Sequence, residues 1–302
     1  MEKEKKVIFE EIAMYEDTPD DLVHDLIARA AYGSHSLAFP ILGTEEHLAP
    51  LKPQDLRSYI EQHYHIDNIV ISAAGNIDRS IIDLLEQHFG KLARRGKPLT
   101  PIEPVFSGDV LHHHKQTEQH HICLALPGVS MHDDRQTAMT ILNNVIGGSM
   151  SSRLFQEIRE NRGLAYSVYS YHTAHEDSGL FTIYTGTAPE QTAEVLKLTI
   201  DILSDLKQNG ITDSELHKSK EQIKGNLLIS LESTSSRMNR IGKNELMQRK
   251  HETLDEMIAR IDSVSQEMIR DTIRHMFSEP FALAMVGETE EAIDAIRRDQ
   301  LV

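Results

Sequence analysis

Cysteine is almost missing from this sequence. Cys123 is the single one in 302 residues, which excludes an intramolecular disulfide framework and any cysteine-rich zinc module. Long hydrophobic runs are missing too. The clearest, Ile69–Ala74 and Phe281–Val286, have six residues each, far below the ~20 of a membrane-spanning helix. No apolar stretch follows the charged Met1–Lys6, so no secretory signal is read there, and a cytoplasmic location is expected. Positive charge is scarce. Lys and Arg total 31 against 47 Asp and Glu, a formal net charge of −16, which argues against nucleic acid or an anionic membrane as partner. With 39% hydrophobic and 26% charged residues the composition is that of an ordinary globular protein, and the length suggests two domains.

The chain reads as alternating helices and short strands. Helices are predicted over Asp20–Ala31, Pro53–Tyr64 and Arg79–Leu92, and a buried strand over Ile69–Ala74 that ends at Gly75. The pattern breaks over Ala93–Phe106, which holds Arg94, Arg95, Gly96, Lys97, Pro98, Pro101 and Pro104 and reads as a linker. A second block follows. It has a strand at His121–Leu126, a helix at Asp134–Ile146, and a helix capped by Ser151 or Ser152 that runs to Asn161 and ends at Gly163. Strands at Leu164–Tyr171 and Leu180–Thr185 form a hairpin, three or four helices occupy Pro189–Met276, and Phe281–Val286 is the last strand.

The ends of the two blocks match at an offset of 212, the separation of Gly75 from Gly287. Gln54 then meets Gln266, Leu56 meets Met268, Ile60 meets Thr272, His63 meets His275, and the two apolar strands coincide. The expected fold is α+β: two homologous α/β-sandwich repeats with mostly antiparallel sheets, the first truncated at its N-terminal side. The expected divisions are 1–92 for the end of the first repeat, 93–110 for the linker and 111–302 for the complete second repeat.

The most informative segment runs from Gly147-Gly148 through Ser152-Arg153-Leu154-Phe155 to Arg162-Gly163-Leu164-Ala165-Tyr166. It resembles the C-terminal half of pitrilysin/insulinase-type zinc metallopeptidases, in particular the bacterial, processing-peptidase-like branch. The resemblance extends from Glu4 to about Gly287. It implies that Arg159 on the helix and Tyr166, seven residues later on the strand, hold a peptide or unfolded polypeptide substrate. Arg can donate to a substrate carbonyl, and a Tyr hydroxyl can stabilise a developing oxyanion. It also implies that Glu11 is the third zinc ligand and Glu4 a supporting catalytic carboxylate; a one-residue slip of the alignment would put the neighbouring Glu10 in the place of Glu11. Seven residues are two helical turns, so Glu4 and Glu11 share a face. The chambers of this family are built from halves of two repeats each, which implies a homodimer.

The family's catalytic signature, His-x-x-Glu-His, is absent from around all 17 histidines. By the repeat, the helix that carries it falls ahead of Met1. Zinc therefore belongs to the complete family enzyme and is not expected on this chain alone, since Glu11 is a single ligand. His112–His114 with His120 and His121 form a histidine-rich stretch for which adventitious or no metal binding is expected. His172 and His175 flank a hairpin turn and are expected to be exposed, and Cys123 reads as a core residue. Three functions fit: part of a zinc metalloendopeptidase, inactive by itself; a noncatalytic peptide-binding scaffold or partner subunit; and a generic two-domain α/β binding protein.

Overall fold

A computed structural model describes residues 1–92, 102–248, 251–289 and 291–294. The N-terminal part is helical: α1 (Glu2–Glu16), α2 (Pro19–Tyr32), the short α3 (Glu45–Leu48), α4 (Pro53–His63) and α5 (Ser80–Phe89). The rest is built on five strands, β1 (Val110–His114), β2 (His120–Pro127), β3 (Ala165–Ala174), β4 (Gly179–Thr187) and β5 (Ala282–Gly287). Between them lie α6 (Gln136–Ile146), α7 (Thr192–Asn209), α8 (Asp213–Ser230), α9 (Thr234–Lys243), α10 (Leu254–Asp262) and α11 (Gln266–Met276), with α12 (Glu291–Asp294) after β5. The fold is α/β with one mixed sheet, in the order β1-β5-β2-β4-β3. β1 runs parallel to β5, and the other pairings are antiparallel.

β4 and β5 are buried along their whole lengths, as expected of apolar strands covered on both faces. Alternation sorts their side chains. Ile122, Leu124, Leu126, Phe181, Ile183, Leu283 and Met285 join one core with Met139, Leu142 and Ile146 of α6, Leu196 and Leu203 of α7, and Ile269 and Ile273 of α11. Cys123, Ala125, Leu180, Tyr184, Ala282, Ala284 and Val286 face the other way, where Val23, Ile27, Ala30 and Ala31 of α2 pack on them. The small side chains on both sides of that contact let α2 lie close to the sheet. Cys123 is buried in this second core, as read from the sequence, and burial raises its thiol pKa well above the ordinary value.

Several elements differ from the sequence reading. Ile69–Ala74 is extended but is no strand, because no neighbouring strand pairs with it among the described residues. Val70 and Ile71 consequently remain exposed. The Ser-capped helix is instead π-wound over Phe155–Asn161, with no side-chain cap. His112–His114 lie in β1, whose parallel pairing with β5 makes the sheet mixed; parallel pairing across some 170 residues leaves no local sequence signal. Among the described residues, Pro189–Met276 holds five α-helices rather than three or four. Of the predicted linker, residues 93–101 lie outside the described residues. Its end runs beside α2, with Ser107 N–H donating to Ala31 O (2.7 Å) and Asp109 N–H to Ala30 O (3.0 Å).

Candidate functional site

α1 presents two faces. Its inner side seats the buried Ile12, and Lys5 Nζ donates to Ala49 O at 2.7 Å. Glu4, Val7, Glu11 and Met14, spaced by three and four residues, form one outward stripe. Val7 is 52% and Met14 68% exposed, and Glu4, Glu10 and Glu11 are exposed as well. Two carboxylates two turns apart thus share a surface with two uncovered apolar side chains. The end of α1 is fixed by Tyr15, whose hydroxyl donates to Asp21 O (3.0 Å), and by Lys115 Nζ, which donates to Glu16 O (2.6 Å). Burial, reinforced by Asp25 and Asp21, pushes the Tyr15 pKa up to about 12.

Arg159 and Tyr166 are brought together. The Arg159 guanidinium lies 4.8 Å from the ring centroid of Phe155 and 4.8 Å from that of Tyr166, within cation–π range of both. Tyr166 remains 76% exposed and keeps its hydroxyl available. Leu154 and Ile158 anchor the π-wound segment in the core. Arg153 clamps its start: Nε and Nη2 donate to the Glu215 carboxylate (2.7 and 2.9 Å), Nη1 to Asp205 (3.0 Å) and Nη2 also to Gly210 O (3.0 Å). Burial raises the Glu215 pKa, but the hydrogen bonds from Arg153 and Thr212 and the Arg153 charge together outweigh it and hold the carboxyl below its ordinary value. Gly163, at φ +63, turns the chain from this segment into β3, a conformation glycine adopts without strain. π-wound turns occur disproportionately at functional sites. No hydrogen bond or ion pair joins Arg159 or Tyr166 to Glu4 or Glu11 among the described residues.

The donor set tests whether a metal fits. No group of three or more His, Cys, Asp or Glu able to hold an ion occurs among the described residues. The histidine-rich stretch is engaged otherwise: His112 Nε2 lies 3.0 Å from Gly287 O, His114 Nδ1 2.9 Å from Glu288 O, and the buried His120 Nδ1 2.9 Å from Thr192 Oγ1. Among the described residues Glu11 belongs to no such group, and a single carboxylate falls short of the three protein ligands of a catalytic zinc.

Sequence reasoning missed a network beneath α2. His24 Nδ1 hydrogen-bonds with the Tyr171 hydroxyl (2.7 Å), its Nε2 lies 3.3 Å from that of Tyr169, and its ring stacks on Tyr184 at 5.2 Å. His121 Nδ1 lies 2.9 Å from the Tyr184 hydroxyl. Burial lowers the pKa of both imidazoles and so favours their neutral forms, and His24, between two phenols, can then accept from one side while donating to the other. The available signal was the alternation of Tyr169 and Tyr171, which places both on one face of β3. His172, expected to be exposed, is partly buried: its Nε2 accepts from Val129 N–H (3.1 Å), and burial pushes its pKa down to about 4. His175 is also partly buried, beside Tyr32.

A two-cored α/β unit that carries this Gly-Gly, Ser-Arg-Leu-Phe and Arg-x6-Tyr segment is a peptidase-like domain. The sequence matches the family described as "Peptidase M16 inactive domain" over residues 50–223, and the chain belongs to the M16 peptidase family. It is 50% identical to the "Uncharacterized zinc protease YmxG" of Bacillus subtilis (strain 168) over 287 residues, covering 95% of this chain and 70% of that protein. A Streptomyces coelicolor protein with the name "Uncharacterized zinc protease SCO5738" is 39% identical, covering 95% of this chain and 65% of its own length. Among solved structures, a peptidase M16 inactive domain from Pseudomonas fluorescens has a TM-score of 0.87 at 23% identity, over 95% of this chain and 69% of that one. A protease from Helicobacter pylori has a TM-score of 0.83 at 20% identity, over 94% and 71%.

Proposed function

We propose that this chain is the part of an M16-type zinc metalloendopeptidase that supplies the third zinc ligand and the substrate-holding pair, and that by itself it neither holds catalytic zinc nor cleaves peptides. Glu11 is the ligand, Glu4 its supporting carboxylate, and Arg159 with Tyr166 hold a peptide or unfolded polypeptide. The observation that carries the reading is the Arg159–Tyr166 pair, placed ring to guanidinium by a π-wound turn inside the segment that matches the family. Arg159 can donate to a peptide carbonyl, and the exposed Tyr166 hydroxyl can donate to an oxyanion. The Glu4–Val7–Glu11–Met14 stripe supports it, since a carboxylate beside uncovered apolar side chains suits a surface that another segment closes.

The repeat and its truncation belong to the same proposal. Offset by about 212 residues, the N-terminal helices fall on the C-terminal ones in order: α1 on α8, α2 on α9, α3 on α10, α4 on α11, and α5 on α12. The extended Ile69–Ala74 falls on β5, and Gly75 on Gly287. The division is then 1–92, 93–110 and 111–302, and the missing part of the first repeat would bring the two imidazoles and the water-activating carboxylate. A homodimeric, cytoplasmic protein is proposed with it; no helix among the described residues is long and apolar enough to cross a membrane. The description "inactive domain" favours a second reading, a noncatalytic peptide-binding scaffold.

The test starts from the untagged chain, with bound zinc measured and a quenched peptide library assayed with and without a chelator. No stoichiometric zinc and no chelator-sensitive cleavage are expected. Co-expression with the part of the Bacillus subtilis relative that this chain does not cover should restore both. In the restored enzyme Tyr166→Phe should lower kcat more than it raises KM. Cleavage by the untagged chain alone would overturn the proposal, and absence of restoration would favour the scaffold.

A further inference from the structure

One cavity lies apart from all these residues. It has a volume of about 210 Å³ and sits where the end of α2 meets Phe106, the β2–α6 loop, the β3–β4 turn and α11. That is smaller than the ~300–1,000 Å³ of clefts that take drug-sized ligands, and it suits a group the size of a side chain. Tyr32, only 5% exposed, contributes a buried hydroxyl that lies close to the buried hydroxyl of Ser178 on the turn, and neither reaches a partner with full hydrogen-bond geometry. Buried polar groups are nearly always satisfied, so two together mark a place that a ligand would complete.

The charges choose the ligand. Asp133 and Asp177 both line the cavity. Asp133 is neutralised by Arg135, whose Nε and Nη2 donate to its two oxygens at 2.9 and 2.6 Å. Asp177 makes no ion pair among the described residues. The imidazole that Asp177 acts on is His175, whose pKa burial lowers in spite of that carboxylate, and His275 Nε2 is engaged by Gly128 O at 2.7 Å. An anion would be repelled by Asp177, and a purely apolar guest would leave both hydroxyls unsatisfied. An ammonium group has three donors and no acceptor, matching the oxygens of Tyr32, Ser178 and Asp177. Tyr32 and Phe106 line the cavity with aromatic side chains of the kind that attract a cation, and Pro104 and Pro127 line it with apolar surface for a methylene stem.

We infer that this cavity is a binding site for an alkylammonium group, carried either by a lysine side chain of a polypeptide or by a free amine. The site does not depend on zinc or on the Arg159–Tyr166 pair, so its failure and theirs are separable.

Calorimetric titration of this chain with n-butylammonium chloride, and separately with a short peptide bearing one lysine, tests the inference. Saturable binding is expected for at least one probe, and acetylation of the peptide lysine should abolish the peptide's. Asp177→Asn and Tyr32→Phe should each weaken binding about tenfold or more, because a hydrogen bond to a charged group is lost. Thermal stability should change little in Tyr32→Phe, whose hydroxyl has only the Ser178 hydroxyl close by in the free protein; a purely structural tyrosine would lose stability instead. Binding of butylammonium alone would identify a free amine as the source, and binding of the peptide alone a polypeptide. No saturable binding of either probe, or full affinity in Asp177→Asn, would overturn it.

Discussion

His172 shows how much of this protein's chemistry is decided by burial rather than by residue type. The side chain sits near a hairpin turn, yet its ring is enclosed and its Nε2 accepts a backbone hydrogen bond. Its pKa falls from 6.5 to about 4, so folding favours the neutral form. The stabilisation is complete above the unfolded value of 6.5 and is lost as pH falls from there to about 4. At about 1.4 kcal/mol per pKa unit, the loss is on the order of 3 kcal/mol. The neighbouring His175 and His275 contribute smaller parts of the same shift. Urea denaturation between pH 7.5 and 4 should show a falling midpoint. His172→Gln, which keeps an acceptor but cannot titrate, should flatten that fall; an unchanged slope would assign it to other groups. At this scale the family resemblance singled out Arg159 and Tyr166, and their contact is local, since seven residues and a turn separate them. It did not reveal His24, because that site needs α2 docked on the sheet and the cross-strand register that sets Tyr169 opposite Tyr184.

Elements are positioned here by how closely backbones approach, and two glycines separate close approach from backbone conformation. A Cβ on Gly147 would meet Ser170 N at 2.6 Å and Ser170 Oγ at 2.7 Å, so the end of α6 could not lie against β3. Gly163, at φ +63, has nothing within 4 Å of its would-be Cβ, and only its conformation demands glycine. Gly163→Ala should therefore cost about 1 kcal/mol and leave β3 in place. Gly147→Ala should cost several-fold more, as an overpacked contact does, and should perturb the Ser170–Asn143 hydrogen bonds. Equal losses in urea midpoint would contradict this division of roles. The same distinction explains which elements were legible. Helices with an apolar stripe, such as α2 and α6, declare themselves locally. The π-wound turn does not, because its packing of Leu154 and Ile158 and its clamp at Arg153 are tertiary. Ile69–Ala74 has the composition of a strand and lacks what makes one, a neighbour with which to exchange hydrogen bonds.

At the scale of the whole molecule the two halves are unequal in how they bury the same pattern. Leu283, in β5, is fully buried, whereas Ile71, its counterpart at the offset of 212, is 45% exposed. On α4, Leu56 and Ile60 are 47% and 52% exposed, whereas their counterparts on α11, Met268 and Thr272, are partly and fully buried. If the N-terminal part is the end of a repeat whose sheet lies elsewhere, these side chains have the shape for a core but not the core. Stability should then respond asymmetrically. Leu283→Ala removes packed atoms and leaves a cavity, at a cost of about 2–5 kcal/mol. Ile71→Ala changes a largely solvated site and should stay within about 0.5 kcal/mol in this chain. Co-expression with the uncovered part of the Bacillus subtilis relative should reverse that tolerance: once a sheet covers Ile71, its truncation should cost nearly what Leu283→Ala costs. Paired urea titrations of both variants, alone and in the complex, measure the difference directly. A costly Ile71→Ala in the chain alone would mean that the N-terminal half already has its full core, and the repeat would have to be abandoned.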